Sequence, residues 1–189
     1  MSASPSTPAG GRAGWLTVAN AVTLLRVAAI PLLVTAILSG AALAAASLYA
    51  LAVVTDVVDG RLARRRGEAS PLGGLLDHSA DALLCSASLA ALAYQGVVPA
   101  PLPFLVAAAF TQYMLDSKSL AGEPLRASSL GRWNGVCYFV LVGVPVVRDA
   151  IGIAWPGPGL VRMLGWALVA STLVSMADRL VALVHSRTR

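Results

Sequence analysis

Charge is missing from two long stretches of this chain, residues 27–55, a run of 29, and residues 82–115, a run of 34. A helix crosses a bilayer core with about 20 apolar residues, so uncharged runs of this length read as membrane spans. Two later uncharged runs are only 15 residues each, so spans there must include charged ends. Gly40, QGVVPAPLP (95–103) and PGPG (156–159) carry turn residues. RRRGEASPLG (64–73) and SKSLAGEPLRASSLG (117–131) form polar breaks between the apolar segments. The pattern predicts six helices, at about 16–39, 42–65, 73–95, 100–118, 132–154 and 159–184. The expected fold is an all-α integral membrane domain of six transmembrane helices over residues 15–189. Ahead of it, MSASPSTPAGGRAG (1–14) is small, polar and rich in Pro and Gly, reads as a disordered tail, and lacks the apolar h-region of a signal peptide.

Composition excludes a water-soluble domain. Hydrophobic residues make up 57% and charged residues 12%, with a mean hydropathy of +0.75, whereas soluble domains are about a quarter charged. The net charge of +5 does not indicate nucleic acid, because the cations cluster at predicted span ends. Arg12, Arg26, Arg61, Arg64, Arg65, Arg66, Lys118, Arg126, Arg132, Arg179, Arg187 and Arg189 lie on or toward one side; only Arg148 and Arg162 lie toward the other. By the positive-inside rule both termini and the longer loops face the cytoplasm, in an inner cell membrane. Cys85 and Cys137 lie in apolar stretches without metal-type spacing and read as free buried thiols.

One constellation of acids interrupts the apolar pattern. TDVVDGRLARRRGEASPLGGLLDHSAD (55–81) holds Asp56, Asp59, Asp77 and Asp81, four of the nine acidic residues. Asp56 and Asp59 are i,i+3 on one helix; Asp77 and Asp81 are i,i+4 on the next, so each pair faces one direction. The basic hairpin between them lets the pairs face each other. Asp56 falls about 21 Å along the second span at 1.5 Å per residue, within its last turns on the predicted cytoplasmic side. Acids at membrane depth cost on the order of 2.5–3.5 kcal/mol each. Four facing carboxylates are a site for hard divalent cations, and such cations bind phosphates.

Spelled out, the spacing is D-x-x-D-G-x-x-A-R, eight residues, then G-x-x-x-D-x-x-x-D, on Asp56, Asp59, Gly60, Ala63, Arg64, Gly73, Asp77 and Asp81. This resembles, position for position, the signature of the CDP-alcohol phosphatidyltransferase family. The sequence N-A-V-T-L-L-R (20–26) is similar to the start of the bacterial phosphatidylglycerophosphate synthase branch. The resemblance implies a phosphotransferase of phospholipid synthesis that passes a phosphatidyl group from a CDP-linked lipid donor to an alcohol and releases CMP. It implies two Mg²⁺ or Mn²⁺ ions on Asp56, Asp59, Asp77 and Asp81, with Asp81 also the general base. Asp56, Gly60, Ala63, Arg64 and Gly73 would hold the CDP moiety, and the active form would be a homodimer. Small residues at 60, 63 and 73 suit close approach of a nucleotide to helix backbones, Arg64 offers a planar fork to a phosphate, and two metals suit a diphosphate-leaving reaction.

The acceptor is less sharply marked. DSKSLAGEPLRASSLGRWNG (116–135) carries Lys118, Arg126 and Arg132 among hydroxyl groups, which suits a phosphorylated polyol such as glycerol 3-phosphate. Positive-inside topology accounts for the same charges. SPLGGLLDH (70–78) is similar instead to choline and ethanolamine phosphotransferases, which take diacylglycerol as acceptor. His78 also follows Asp77 where Pro is usual in phosphatidylglycerophosphate synthases, and is expected in a neighbouring-shell or headgroup role. Asp116 and Asp178 are expected to pair with Lys118 and Arg179 respectively, the alternative being contact with an acceptor. An ion-coupled transporter is the competing class, since intramembrane acids also mark ion pathways. Transporters place such acids near the midplane in internally repeated halves, and neither feature is seen here.

Overall fold

The computed structural model of the chain describes residues 18–66, 71–116 and 129–187. These form six helices and, among the described residues, no strand: α1 (Val18–Leu38), α2 (Ala42–Arg66), α3 (Pro71–Tyr94), α4 (Leu102–Asp116), α5 (Ser129–Ile151) and α6 (Pro158–Arg187). Each boundary falls within three residues of its sequence expectation. α5 is displaced by three residues at both ends, and it stops at Ile151 because Gly152 turns the chain at φ +69°, ahead of the expected PGPG break.

Four helices are long and apolar enough to cross a membrane, over Ala21–Leu38, Gly73–Tyr94, Ser129–Ile151 and Pro158–Ala182. The apolar parts of α2 and α4, Ala42–Val58 and Leu102–Leu115, are shorter. Helices of this kind are apolar on both sides. Leu33, Leu84, Leu89, Leu102, Val142 and Val161 fill the interior, while Leu24, Leu51, Phe104 and Val140 stand exposed on the outside. An apolar exterior of this extent is what lipid, not water, solvates.

The helices close a ring. α1 packs on α2 and α3, α2 on α5, α5 on α6, α6 on α4, and α4 on α3, with α3 also reaching α5 across the middle. Close approach depends on glycine at two points: a Cβ on Gly143 would lie 2.9 Å from Tyr49 Cε1, and one on Gly165 would overlap Pro99 Cδ. The Tyr49 hydroxyl donates to the Phe139 carbonyl at 2.6 Å, which ties α2 to α5.

The three short turns share one end of the ring and one solution. Gly40, Gly96 and Gly152 each take a left-handed φ, of +71°, +72° and +69°. The following amides of Ala41, Val97 and Ile153 donate back to Ala36, Leu92 and Arg148, the 6→1 bond of a Schellman cap. The two cations at this end serve the turns. Arg162 donates to the Gly96 carbonyl, and Arg148 donates to the Pro156 carbonyl at 3.0 Å while pairing with Asp149. Asp56, Asp77 and Asp81 lie toward the opposite end.

Candidate active site

Asp56 comes from α2, and Asp77 and Asp81 from one face of α3, as the i,i+4 spacing requires. One carboxylate oxygen from each lies within 4.8 Å of the others. Between them stands Arg26 of α1. Its Nη1 lies 3.0 Å from Asp56 Oδ1, 3.0 Å from Asp77 Oδ1 and 2.9 Å from Asp81 Oδ1. The Arg26 side chain is 0% exposed, while the three acids keep between 24% and 32% of theirs. The expectation that the two acid segments face each other is met for these three residues. Asp59, Gly60, Ala63 and Arg64 fall at the end of α2, where side chains lie outside the described residues. Gly73 sits half-buried one turn before Asp77.

The donor set fits a hard divalent cation. It is all carboxylate, with no His or Cys in the group among the described residues, and oxygen-only sites select Mg²⁺, Ca²⁺ or Mn²⁺. Three carboxylates against one guanidinium leave a surplus of two negative charges. A cationic nitrogen already stands where the three oxygens converge, so the position itself accepts positive charge.

Two cavities reach this cluster. The first, about 410 Å³, lies inside the ring and is lined by α3, α4, α5 and α6 together with Asp56. Asp81 is on its wall, and His78, Tyr113, Arg132 and Arg179 gather on the side of the long loops. His78 stacks on Tyr113 with ring centroids 6.2 Å apart, and the Arg179 guanidinium sits 4.9 Å over the same Tyr113 ring. Deeper in, Tyr138 and Thr172 share a 2.6 Å hydroxyl bond, and Ser171 donates to Asn134 Oδ1 at 2.7 Å. The second, about 660 Å³, is a groove between α2 and α5. It runs from Asp56 past Val53, Val140 and Val147 to Trp155 and Pro156, with almost wholly apolar walls.

Of the predicted acceptor cations, the structure places Arg132 on the inner cavity; Lys118 and Arg126 lie outside the described residues. His78 joins the cavity wall and not the carboxylate group. Asp178 forms no ion pair with Arg179, which stacks on Tyr113 instead; this corrects the expected pairing. The expected Asp116–Lys118 pair lies outside the described residues.

Two residues were missed by sequence reasoning. Arg179 was counted as a topology charge, and nothing local to it marks the Tyr113 ring it meets. Arg26 was counted the same way, although its position offered a signal. It lies eight residues after the start of α1 and inside its apolar stretch, and an arginine within such a stretch usually pairs with an acid.

Fold and site together define an all-helical integral membrane protein whose carboxylate cluster joins an inner cavity, edged by His78, Arg132 and Arg179, to an apolar groove. The chain belongs to the CDP-alcohol phosphatidyltransferase family, whose sequence pattern matches residues 16–180. It is 30% identical to CDP-diacylglycerol–glycerol-3-phosphate 3-phosphatidyltransferase 2 of Arabidopsis thaliana, over 82% of this chain and 77% of that protein. It is 36% identical to a probable phosphatidylglycerophosphate synthase of Mycobacterium tuberculosis, over 52% of this chain and 51% of the relative. It is also 29% identical to a CMP-forming cardiolipin synthase of Streptomyces coelicolor, over 80% of this chain and 74% of that protein. The chain spans about half the length of the Mycobacterium relative, and 62% of a second Arabidopsis phosphatidyltransferase to which it is 27% identical.

Proposed function

We propose that this protein transfers a phosphatidyl group from a CDP-linked lipid donor to glycerol 3-phosphate and releases CMP. One observation carries the reading: Asp56 lines both the inner cavity, whose wall carries His78, Asp81, Arg132 and Arg179, and the apolar groove. A reaction between a lipid and a water-soluble partner needs two such compartments meeting at the reacting atoms.

The donor's tails lie along the α2–α5 groove, with its diphosphate at the acid cluster and its CDP moiety against Asp56, Gly60, Ala63, Arg64 and Gly73. Two Mg²⁺ or Mn²⁺ ions on Asp56, Asp59, Asp77 and Asp81 supply, when bound, neutralisation of the diphosphate and stabilisation of the departing CMP oxygen. Arg132 and Arg179 hold the acceptor phosphate at the cavity mouth, and Lys118 and Arg126 are further candidate ligands of it by sequence alone. The acceptor hydroxyl then reaches Asp81. Asp81 takes its proton as the oxygen attacks the lipid-bearing phosphorus, and the bond from that phosphorus to CMP breaks with the electron pair leaving on CMP.

The arginine-rich end of the ring, with both termini, faces the cytoplasm of an inner membrane in this reading. All six helices are embedded, and the family resemblance adds a homodimer. The test is CMP release by purified protein with Mg²⁺ and CDP-diacylglycerol. Glycerol 3-phosphate, inositol phosphate, inositol, serine, choline, ethanolamine and phosphatidylglycerol are compared as acceptors. Turnover with glycerol 3-phosphate supports the reading. The Streptomyces relative favours a second reading, cardiolipin formation, which turnover with phosphatidylglycerol alone would select. Turnover with none would direct attention to a CDP-amino-alcohol donor with diacylglycerol as acceptor.

A further inference from the structure

We propose that Arg26 is a resident counter-cation that competes with the divalent ion for the acid cluster, so that the ion binds tightly only together with the nucleotide donor. This rests on the metal-dependent transferase reading above.

The geometry is specific. A single nitrogen, Nη1, sits 2.9–3.0 Å from one oxygen of each of three acids on two helices. The same three acids are the group that can hold a metal. Mg²⁺ takes its oxygens at about 2.0–2.1 Å in near-octahedral order. That ion and a guanidinium nitrogen cannot both occupy the point where these oxygens converge. Arg26 is also not a free surface charge that drifts aside, because its side chain is 0% exposed and issues from α1, packed against both acid-bearing helices.

Arg26 therefore has two effects on an incoming ion. It blocks the central position, and it repels a second positive charge at a depth where screening is weak. In return it compensates acids that would otherwise repel one another in the free protein. A CDP-linked donor changes this balance. Its diphosphate brings oxygen ligands for the ion and a strong alternative partner for a guanidinium. The guanidinium can then turn from the carboxylates to the phosphate, leaving the oxygens to the ion. Coupling of this kind is reciprocal, so ion and nucleotide each tighten the other.

The test is direct Mn²⁺ binding by the purified full-length protein, read by the electron paramagnetic resonance of free Mn²⁺, with and without CDP. The wild type is expected to bind Mn²⁺ at least tenfold more tightly with CDP than without it. Arg26→Met is expected to bind Mn²⁺ at least tenfold more tightly than wild type without CDP, and to gain less from CDP. Equal or weaker Mn²⁺ binding by Arg26→Met would overturn the proposal. Since Arg26→Met can fail to fold, the wild type labelled with ¹⁵N-arginine provides a second readout. Mg²⁺ with CDP should shift the guanidinium signal of the buried Arg26, and an unmoved signal would overturn the proposal equally. Failure of the wild type to bind Mn²⁺ under any condition, with turnover insensitive to chelation, would instead remove the metal-enzyme reading on which it rests.

Discussion

Arg26 Nη1 lies 2.9 Å from Asp81 Oδ1, although 55 positions separate the two residues. The contact joins the first helix to the third at the edge of the inner cavity. It engages Asp81 through one carboxylate oxygen while the residue remains on the cavity wall. Asp81 is thus held in place by a cation on one side and faces the cavity on the other.

That position makes Asp81→Asn the sharpest test of the proton-acceptor role. An amide oxygen can still accept from Arg26, so thermal stability should change little. CMP release should fall by roughly 10²–10⁴-fold, the range that general acid–base catalysis supplies. Turnover within threefold of wild type would remove Asp81 from that role.

Chelation should stop the reaction completely, and Mg²⁺ or Mn²⁺ should restore it. Asp77→Asn removes one of the three converging carboxylates. It should therefore raise the Mg²⁺ concentration needed for half-maximal turnover before it lowers the maximal rate. A metal titration of CMP release in the two proteins measures this directly, and identical titration curves would contradict it.

Arg179 and Arg162 should separate binding from stability. Arg179 lies over Tyr113 on the inner cavity, so Arg179→Ala should raise KM for glycerol 3-phosphate by about tenfold or more, as loss of a charged hydrogen bond does. The donor KM should stay unchanged. Arg162 instead donates to the Gly96 carbonyl at the far end of the ring. Arg162→Ala should cost about 1 kcal/mol of stability and leave both KM values alone.

Helix packing should be most sensitive at Gly165. Its missing Cβ makes room for the Pro99 ring, which sits in a turn pinned on both sides. Gly165→Ala is expected to destabilise by about 1–3 kcal/mol through overpacking, seen as a lower midpoint of thermal unfolding in detergent. Gly143→Ala should cost less, because the neighbour it meets is the edge of the Tyr49 side chain rather than a ring fixed to the backbone. Equal midpoints for the two variants and the wild type would show that the helices can part more freely than this packing implies.

Much of the molecule was open to reading along the chain because its determinants are local. Length of an uncharged run decides whether a helix can sit in lipid, so the six helices appear within three residues of their expected limits. Gly40 was legible as the break between two apolar segments and Gly96 within a Pro/Gly cluster. Gly152 was not, because a lone glycine ahead of PGPG gives no sign that it, and not the cluster, takes the positive φ. Asp77 and Asp81 share a face by helical spacing alone, and the short connection to the preceding helix places Asp56 within reach of them, although the two helices are joined mainly through α1 rather than by packing on each other.

Contacts between distant helices were beyond such reasoning. The sequence by itself determined six apolar helices, a cation-rich end and a set of acids placed to gather there, since each depends on spacing within one or two adjacent segments. Only the tertiary structure decided that α1 lays Arg26 among those acids, that α6 brings Arg179 onto the Tyr113 ring, and that Asp56 borders a cavity edged by cations on one side and an apolar groove on the other. The reason is physical. Which side chains meet across a ring of helices follows from how each helix is rotated and which neighbours it packs against, and these are set by the joint filling of the interior rather than by any one stretch of chain.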